Sequence, residues 1–172
     1  RSKKLNITRY ERTPGDPVYI LVDSTGLKIS GSGEWQETKH RLRKRKIWRK
    51  LHLTIDAKKG DILAFALTTN KEDDPSQVPV MLDQIEKNIE SITADGAYDK
   101  IEIYDVLKKH KSGHIKGIIP PRKDAVLSEN ADTSPTLRDK HIMGIKQKGR
   151  LKWQKDTGYN LRSLVETAMF RY

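Results

Sequence analysis

Short apolar runs separated by polar turns dominate the first half of the chain. Residues 18–22 form a continuous β-prone run, which predicts a central strand that is buried on both faces and ends at Asp23. Apolar and polar residues alternate over residues 51–55, and another apolar run covers residues 62–69 beyond a hairpin turn at residues 56–60. The pattern therefore predicts three strands in antiparallel succession.

Helical periodicity follows these strands. Asp74 and Pro75 supply an N-cap and a proline at the first helical position, and an apolar stripe of helical spacing extends from them to Ile89. Residues 91–94 then predict a short strand that ends at Asp95. A second aspartate is therefore expected, like the first, directly after an apolar strand.

The second half of the chain continues this alternation of strands and helices. Asp99 and Glu102 have capping-box spacing, which predicts a helix to about His110. The whole order is β-β-β-α-β-α-β-α-α, which indicates a mixed five-stranded α/β sheet flanked by helices. The remaining predicted elements are a polar linker or entry arm over residues 1–16, a strand over residues 116–119, a loop over residues 122–135, a helix to about residue 146 and a final helix from about residue 160.

Composition and charge narrow the partners of this domain. The 172 residues include 34 basic and 23 acidic ones, a formal net charge of +11 that favours nucleic acid over a membrane surface. The absence of cysteine excludes disulfides and thiolate metal sites. No apolar run approaches the roughly 20 residues of a membrane span, so a cytoplasmic protein without a membrane partner is expected.

The basic residues are concentrated between residues 39 and 50, where eight of twelve are positive and none is acidic. A solvated hairpin face is one interpretation; contact with DNA phosphates is the favoured one. Trp48, at the start of a strand, is expected in the core. A second basic stretch over residues 146–155, around Trp153, fits both interpretations equally. The expected phosphate contacts in the first stretch are Lys39, Arg41, Arg43, Arg45 and Arg49.

Three carboxylates are candidates for metal-dependent chemistry. Asp23 and Asp95 follow strands, where side chains line ligand crevices, although for each taken alone an ordinary turn residue is the favoured interpretation. Glu166 is distinguished by helical phase, because Tyr159 and Arg162 share its face of the last helix while the apolar residues take another. An Arg162–Glu166 surface pair explains two charges, and it leaves the tyrosine unexplained.

In these motifs the chain resembles the DDE transposases of bacterial insertion sequences. The resemblance covers about residues 18–172, nearly the whole chain, and lies in the group with the C-terminal signature Y-x2-R-x3-E-x6-K. The lysine of that signature would be the residue after Tyr172. The matching segments are residues 22–28, residues 93–99, and Tyr159, Arg162 and Glu166 in the spacing of the signature.

This resemblance implies a ribonuclease H-like fold over residues 17–172, with Asp23, Asp95 and Glu166 as catalytic metal ligands. It implies two Mg²⁺ or Mn²⁺ ions, cleavage at the ends of an insertion sequence, and strand transfer to target DNA. It also implies action as a homodimer on DNA. Tyr159 and Arg162 are expected to contact DNA. For Arg162 two roles stay open, because it shares a face with Glu166: it orients that carboxylate, or it meets a phosphate in a bidentate contact.

Two departures from the family pattern leave alternatives open. The signature lysine is missing, and so is the N-terminal DNA-recognition region of a complete transposase, which indicates a piece truncated at both ends. One alternative is therefore a basic DNA-binding fragment with an incomplete catalytic centre. The other is a related ribonuclease H-like nuclease that cuts DNA without joining it.

Overall fold

A computed structural model describes residues 16–29 and 48–170 of the chain. Its centre is one five-stranded mixed sheet. The strands are β1 (Val18–Lys28), β2 (Trp48–Asp56), β3 (Ile62–Thr69), β4 (Ile89–Thr93) and β5 (Lys116–Ile118). Their order across the sheet is β3-β2-β1-β4-β5, with β1 to β3 antiparallel in succession and β4 and β5 parallel to β1. The predicted antiparallel opening is therefore confirmed.

Helices connect and cover this sheet. None of those within the described ranges is long and apolar enough to cross a bilayer. The α-helices are α1 (Val78–Asp83), α2 (Ile101–Lys109), α3 (Leu137–Lys148), α4 (Arg150–Thr157) and α5 (Ser163–Met169). Single 3-10 turns at Asp74–Gln77, Gly96–Tyr98 and Tyr159–Arg162 precede α1, α2 and α5. The mixed α/β sheet flanked by helices is thus confirmed.

The two faces of the sheet carry different cores because successive residues of a strand point to opposite sides. On one side, alternate residues of β1 such as Ile20 and Val22 join helices α1 and α2 in the larger apolar cluster. On the other side, Leu21 and Ile55 pack against Val165 of α5 in a smaller one. The second face is therefore where the last helix meets the central strand.

β1 is longer than its apolar run predicts. The strand was expected to end at Asp23, yet it continues to Lys28 because residues 24–28 pair in unbroken register with residues 48–52 of β2. Asp23 therefore lies inside a paired strand, on the same face as Leu21. Its side chain points toward α5, while Asp95 lies directly after β4 and Glu166 lies on the last helix.

Several local predictions were wrong for identifiable reasons. Ile89 does not extend the helical stripe of α1; it begins β4, since the chain has already turned back toward the sheet. Asp99 does not cap α2, because its carboxylate binds Arg138 instead. Trp48 is 42% exposed rather than in the core. The second basic stretch contains α4, a helix that its polar sequence did not indicate.

Candidate functional site

Three carboxylates from three separate elements converge on the guanidinium group of Arg162. Nη2 of Arg162 lies 2.9 Å from Oδ2 of Asp23 and 3.8 Å from Oδ2 of Asp95. Nη1 of the same group donates to Oε1 of Glu166 at 2.6 Å. The structure thus brings together the three residues that the sequence nominated, and each of them lies next to one shared cation.

Backbone amides orient the two aspartates of this site. The amide of Ser24 donates to Oδ1 of Asp23 at 2.9 Å, and the amide of Ala97 donates to Oδ1 of Asp95 at 2.8 Å. Each carboxylate therefore has one oxygen fixed by its own loop or strand, while the other faces Arg162. Hydrogen bonds of this kind hold the carboxylate in a defined direction.

Arg162 is itself positioned by a chain of ring contacts that begins at the sheet. Nε2 of His141 donates to the carbonyl of Gly117 at 2.8 Å, and Nδ1 accepts from the indole of Trp153 at 3.1 Å. The ring of Trp153 lies 5.5 Å from that of Tyr159, which opens the turn that carries Arg162. Burial of Trp153 therefore fixes α4 beside the site.

Charge and burial act against each other at Asp23. Burial raises the pKa of Asp23, the Arg162 guanidinium lowers it, and the neighbouring Asp95 and Glu166 carboxylates raise it again. The net pKa lies above its ordinary value, because three acidic groups share one positive charge in a partly dry place. A second cation at this place would relieve that repulsion.

The site opens gradually to solvent. The side chain of Asp23 is 12% exposed, that of Asp95 is 36% exposed and that of Glu166 is 56% exposed. Asp23 thus forms the floor of the site, and Glu166 stands at its rim. A group that enters from solvent would meet Glu166 first, with the two aspartates behind it.

The donor set suits a hard divalent cation. Mg²⁺ prefers carboxylate oxygens and takes one or two carboxylates together with water and substrate oxygens. All three carboxylates contact one guanidinium, so they lie within the roughly 10 Å that a two-metal centre tolerates. In the described ranges no group of three acidic or histidine side chains forms a metal-binding cluster as it stands, since the guanidinium lies between the carboxylates.

The candidate DNA-binding residues are placed unequally. Arg49 lies in β2, four residues from Leu53, the partner of Asp23 across the strands. The side chain of Arg49 therefore lies on the same face of the sheet as that of Asp23, and the two positions are about 14 Å apart along the strand direction. Tyr159 is half-buried beside Trp153, and Arg162 is in the site. Lys39, Arg41, Arg43 and Arg45 lie outside the described residues.

Arg122 is a residue of this neighbourhood that the sequence analysis missed. Its guanidinium donates to the carbonyls of Gly96 and Ala97, at 3.4 and 3.3 Å, and so braces the turn that follows Asp95. A signal for it existed, because a cation soon after β5 lies at the same sheet edge as a residue after the parallel strand β4.

Comparison with known proteins identifies the family of this chain. Residues 14–171 match the family described as "Transposase DDE domain", which is nearly the whole chain. Among solved structures, the chain is similar to a piggyBac transposase in a synaptic complex with hairpin DNA, with 11% identity and a TM-score of 0.44. The similarity covers 70% of this chain and 27% of that one, so this chain spans about a quarter of the length of the solved protein.

Proposed function

Because the chain belongs to the transposase DDE domain family, we propose that Asp23, Asp95 and Glu166 form a metal-dependent centre for DNA strand cleavage and transfer. One observation carries the proposal. Carboxylates that are 71 or more residues apart in sequence lie around a single cation, each with an oxygen directed at the same place. A structural ion pair needs one carboxylate, whereas phosphoryl transfer through two ions uses several.

The proposed centre holds two Mg²⁺ or Mn²⁺ ions between these carboxylates. When bound, such ions activate the attacking oxygen and stabilise the charge that develops on the leaving one. Oδ2 of Asp23 and Oδ2 of Asp95 are the oxygens available to them, since the Oδ1 atoms accept from backbone amides. Glu166, at the exposed rim, would complete the set.

Arg162 has two positions in this proposal. Without metal it neutralises the carboxylates, and with metal it is released because cations repel each other at such distances. Its fork of N–H donors then suits a non-bridging phosphate oxygen of the bound strand. Tyr159, three residues earlier at the start of the same turn, is placed beside the same DNA strand in this proposal and offers its hydroxyl.

The proposed DNA path crosses the sheet face that carries Asp23. Arg49 lies on that face, and the basic residues Lys39, Arg41, Arg43 and Arg45 precede it in the chain. Residues 17–172 are proposed as the catalytic domain, with residues 1–16 as its entry arm. The full reaction is proposed to need a homodimer on DNA, cutting at insertion-sequence ends and joining them to target DNA.

A paired assay tests this function. DNA that carries the ends of the element is incubated with the protein and Mg²⁺ or Mn²⁺, and nicking and joining are scored separately. We expect both products from the wild type and neither from D95N or E166Q. The matched control is E102Q, since Glu102 is also an exposed helical glutamate but lies away from the site.

The outcomes separate the alternatives. Nicking without joining indicates a ribonuclease H-like nuclease that does not transfer strands. DNA binding without either product, and equal to that of D95N, indicates a basic DNA-binding fragment with an incomplete catalytic centre. Loss of activity in E102Q as well would show that the assay reports general damage, and the assignment of the three carboxylates would then fail.

A further inference from the structure

A second basic surface, separate from the residues nominated above, lies beside the turn that carries Asp95. It is a groove of about 270 Å³ between the segment after β5 and the helices α3 and α4. Its uncharged lining residues are Pro121, Ala125, Ile142 and Ile145. We name it the α3–α4 groove, and its charged lining residues are Arg122, Lys123, Lys146 and Arg150.

The charge of this groove is not neutralised. Among the described residues, the guanidinium of Arg122 donates to the carbonyls of Gly96 and Ala97, and that of Arg150 donates to the carbonyl of Pro121 at 3.2 Å. Within the part of the chain that the structure describes, none of the four cations lies in a salt bridge with a carboxylate. Four positive charges without a partner acid attract an anion.

Neighbouring cations on the same helices behave differently. Lys148 and Lys152 lie 3.4 and 3.0 Å from the carboxylate of Asp156. They are two residues further along α3 and α4 than Lys146 and Arg150. The second basic stretch of the sequence thus divides into a pair that is neutralised on the surface and a pair that faces the groove.

The position of the groove points to the chemistry of its ligand. Arg122 joins it directly to the turn after Asp95. Arg150 donates to the carbonyl of Pro121, the residue directly before Arg122, so it is tied to the same segment as Arg122. The groove is smaller than the roughly 300–1,000 Å³ of a site for a whole small molecule, and suits one phosphate of a passing chain.

We propose that the α3–α4 groove binds backbone phosphates of the DNA strand a few nucleotides from the bond at the catalytic centre. This inference rests on the proposed function for the identity of the strand. It adds Lys146 and Arg150 as phosphate contacts, with Lys123 beside them. Arg122 has a double role here, because it braces the Asp95 turn and faces the phosphate.

A salt titration with matched charge removal tests the groove. Binding of a fluorescein-labelled duplex of arbitrary sequence is measured at several salt concentrations without divalent metal, for the wild type, K146Q/R150Q and K148Q/K152Q. Both double variants lose the same formal charge from the same two helices. Each lost phosphate contact lowers the slope of log affinity against log salt by about 1, so we expect a loss of about 2 for K146Q/R150Q and close to none for K148Q/K152Q.

Additional variants keep the result interpretable if R150Q unfolds. Lys146 makes no hydrogen bond with the described residues, so K146Q alone is expected to lower the slope by about 1 without a change in melting temperature. The chain contains no cysteine, so K146C and K152C each give a single thiol. We expect DNA to slow alkylation of the thiol from K146C and to leave that from K152C unchanged.

Several results would overturn the proposal. Equal slope losses in both double variants would show a diffuse charge effect, and no loss in either would show that the groove is not used. Stabilisation of the wild type by inorganic phosphate, absent in K146Q/R150Q and without any effect on DNA binding, would make it a free-anion site. Since binding is measured without metal, failure of the cleavage assay for the proposed function leaves these outcomes unchanged.

Discussion

Two arginines of this protein hold carboxylates in opposite ways. Arg138 binds one carboxylate: Nε and Nη2 donate to the two oxygens of Asp99 at 2.8 and 3.1 Å, and Nη1 donates to the carbonyl of Val126. Arg162 spreads over three carboxylates, and within the described residues its buried Nε has no hydrogen-bond partner. All three nitrogens of the Arg138 guanidinium therefore have a hydrogen-bond acceptor, and Nε of Arg162 has none among the described residues.

The difference separates a structural ion pair from an exchangeable one. The side chain of Asp99 is fully buried and also accepts from the amide of Arg122 and the hydroxyl of Tyr104, so solvent does not reach it. The carboxylates around Arg162 become progressively exposed toward Glu166 and already carry more negative charge than one guanidinium balances. A buried, satisfied pair stabilises the fold, whereas a crowded, half-open one favours a stronger cation.

The largest expected effect is on catalysis at the crowded site. Replacing Asp95 with asparagine keeps its shape and removes a metal-binding charge, so we expect DNA cleavage to fall by about 10³-fold or more. Thermal unfolding should be unchanged within error, because Asp95 is partly exposed and its loss relieves repulsion. A comparable cleavage rate in D95N, measured at saturating Mn²⁺, would refute the assignment.

Breaking the Arg138–Asp99 pair is expected to lower the free energy of unfolding by about 3–5 kcal/mol. R138A leaves the Asp99 carboxylate buried without its cation, which is the costly way to break such a pair. Denaturant unfolding measures the free energy of unfolding directly, and the metal-binding isotherm should keep its shape. If R162A lowers the free energy of unfolding as much as R138A does, the Arg162 cluster is a structural ion pair like that of Arg138.

Asp139 extends the comparison to a buried carboxylate held without any cation. Burial alone would raise the pKa of Asp139, but donors on Thr136 and Ser128 lower it to about 2. An unfolded aspartate has a pKa of about 3.9, so this stabilisation is fully present above about pH 4. It is lost as the pH falls toward about 2.

D139N should therefore cost about 1–3 kcal/mol at neutral pH, since the amide puts a donor where four donors already point. Between about pH 4 and pH 2 the wild type should lose part of that advantage, so the two unfolding curves converge. Urea unfolding across this pH range measures the free energy of unfolding of both proteins. Stability curves that stay parallel over this range would show that the contacts do not depend on the ionised form of Asp139.

The smallest expected effect is an increase in metal affinity. R162Q removes the cation that competes with the metal for Asp23, Asp95 and Glu166, so we expect Mn²⁺ to bind roughly tenfold more tightly by calorimetry, about 1.4 kcal/mol. R49Q is the matched control, because it removes the same charge about 14 Å away on the same face, beyond the screening length. Unchanged or weaker Mn²⁺ binding in R162Q would contradict the proposal that metal ions replace the Arg162 guanidinium at these carboxylates.

The sheet could be predicted from the sequence, and the caps could not. Strand periodicity identified β1 to β5 because burial on one or both faces leaves a short-range pattern. The expected cap at Asp99 was wrong, since a charge partner 39 residues away outweighs a local capping bond. The predicted apolar face of the last helix was wrong in part: Leu161 is 51% exposed, because the turn before α5 is 3-10 and changes the phase.

The candidate site divides in the same way. Asp23, Asp95 and Glu166 were each nominated from residue type, strand ends and helical phase, which are local properties. Their approach to one guanidinium, the amide bonds that fix two of them, and the division of the second basic stretch into paired and unpaired cations were not predictable. Those features depend on which residues of distant elements share a place, and spacing along the chain does not encode that.

The sequence by itself determined the order of the elements, the continuous apolar run that buries β1 on both faces, and the identity of the three acids. The tertiary structure decided that Asp23 lies inside a paired strand rather than at its end, and that Arg162 lies between all three acids. The physical reason is that periodicity is set by burial over a few residues. Ion pairs are set by distances that only the packing of α5 against β1 fixes.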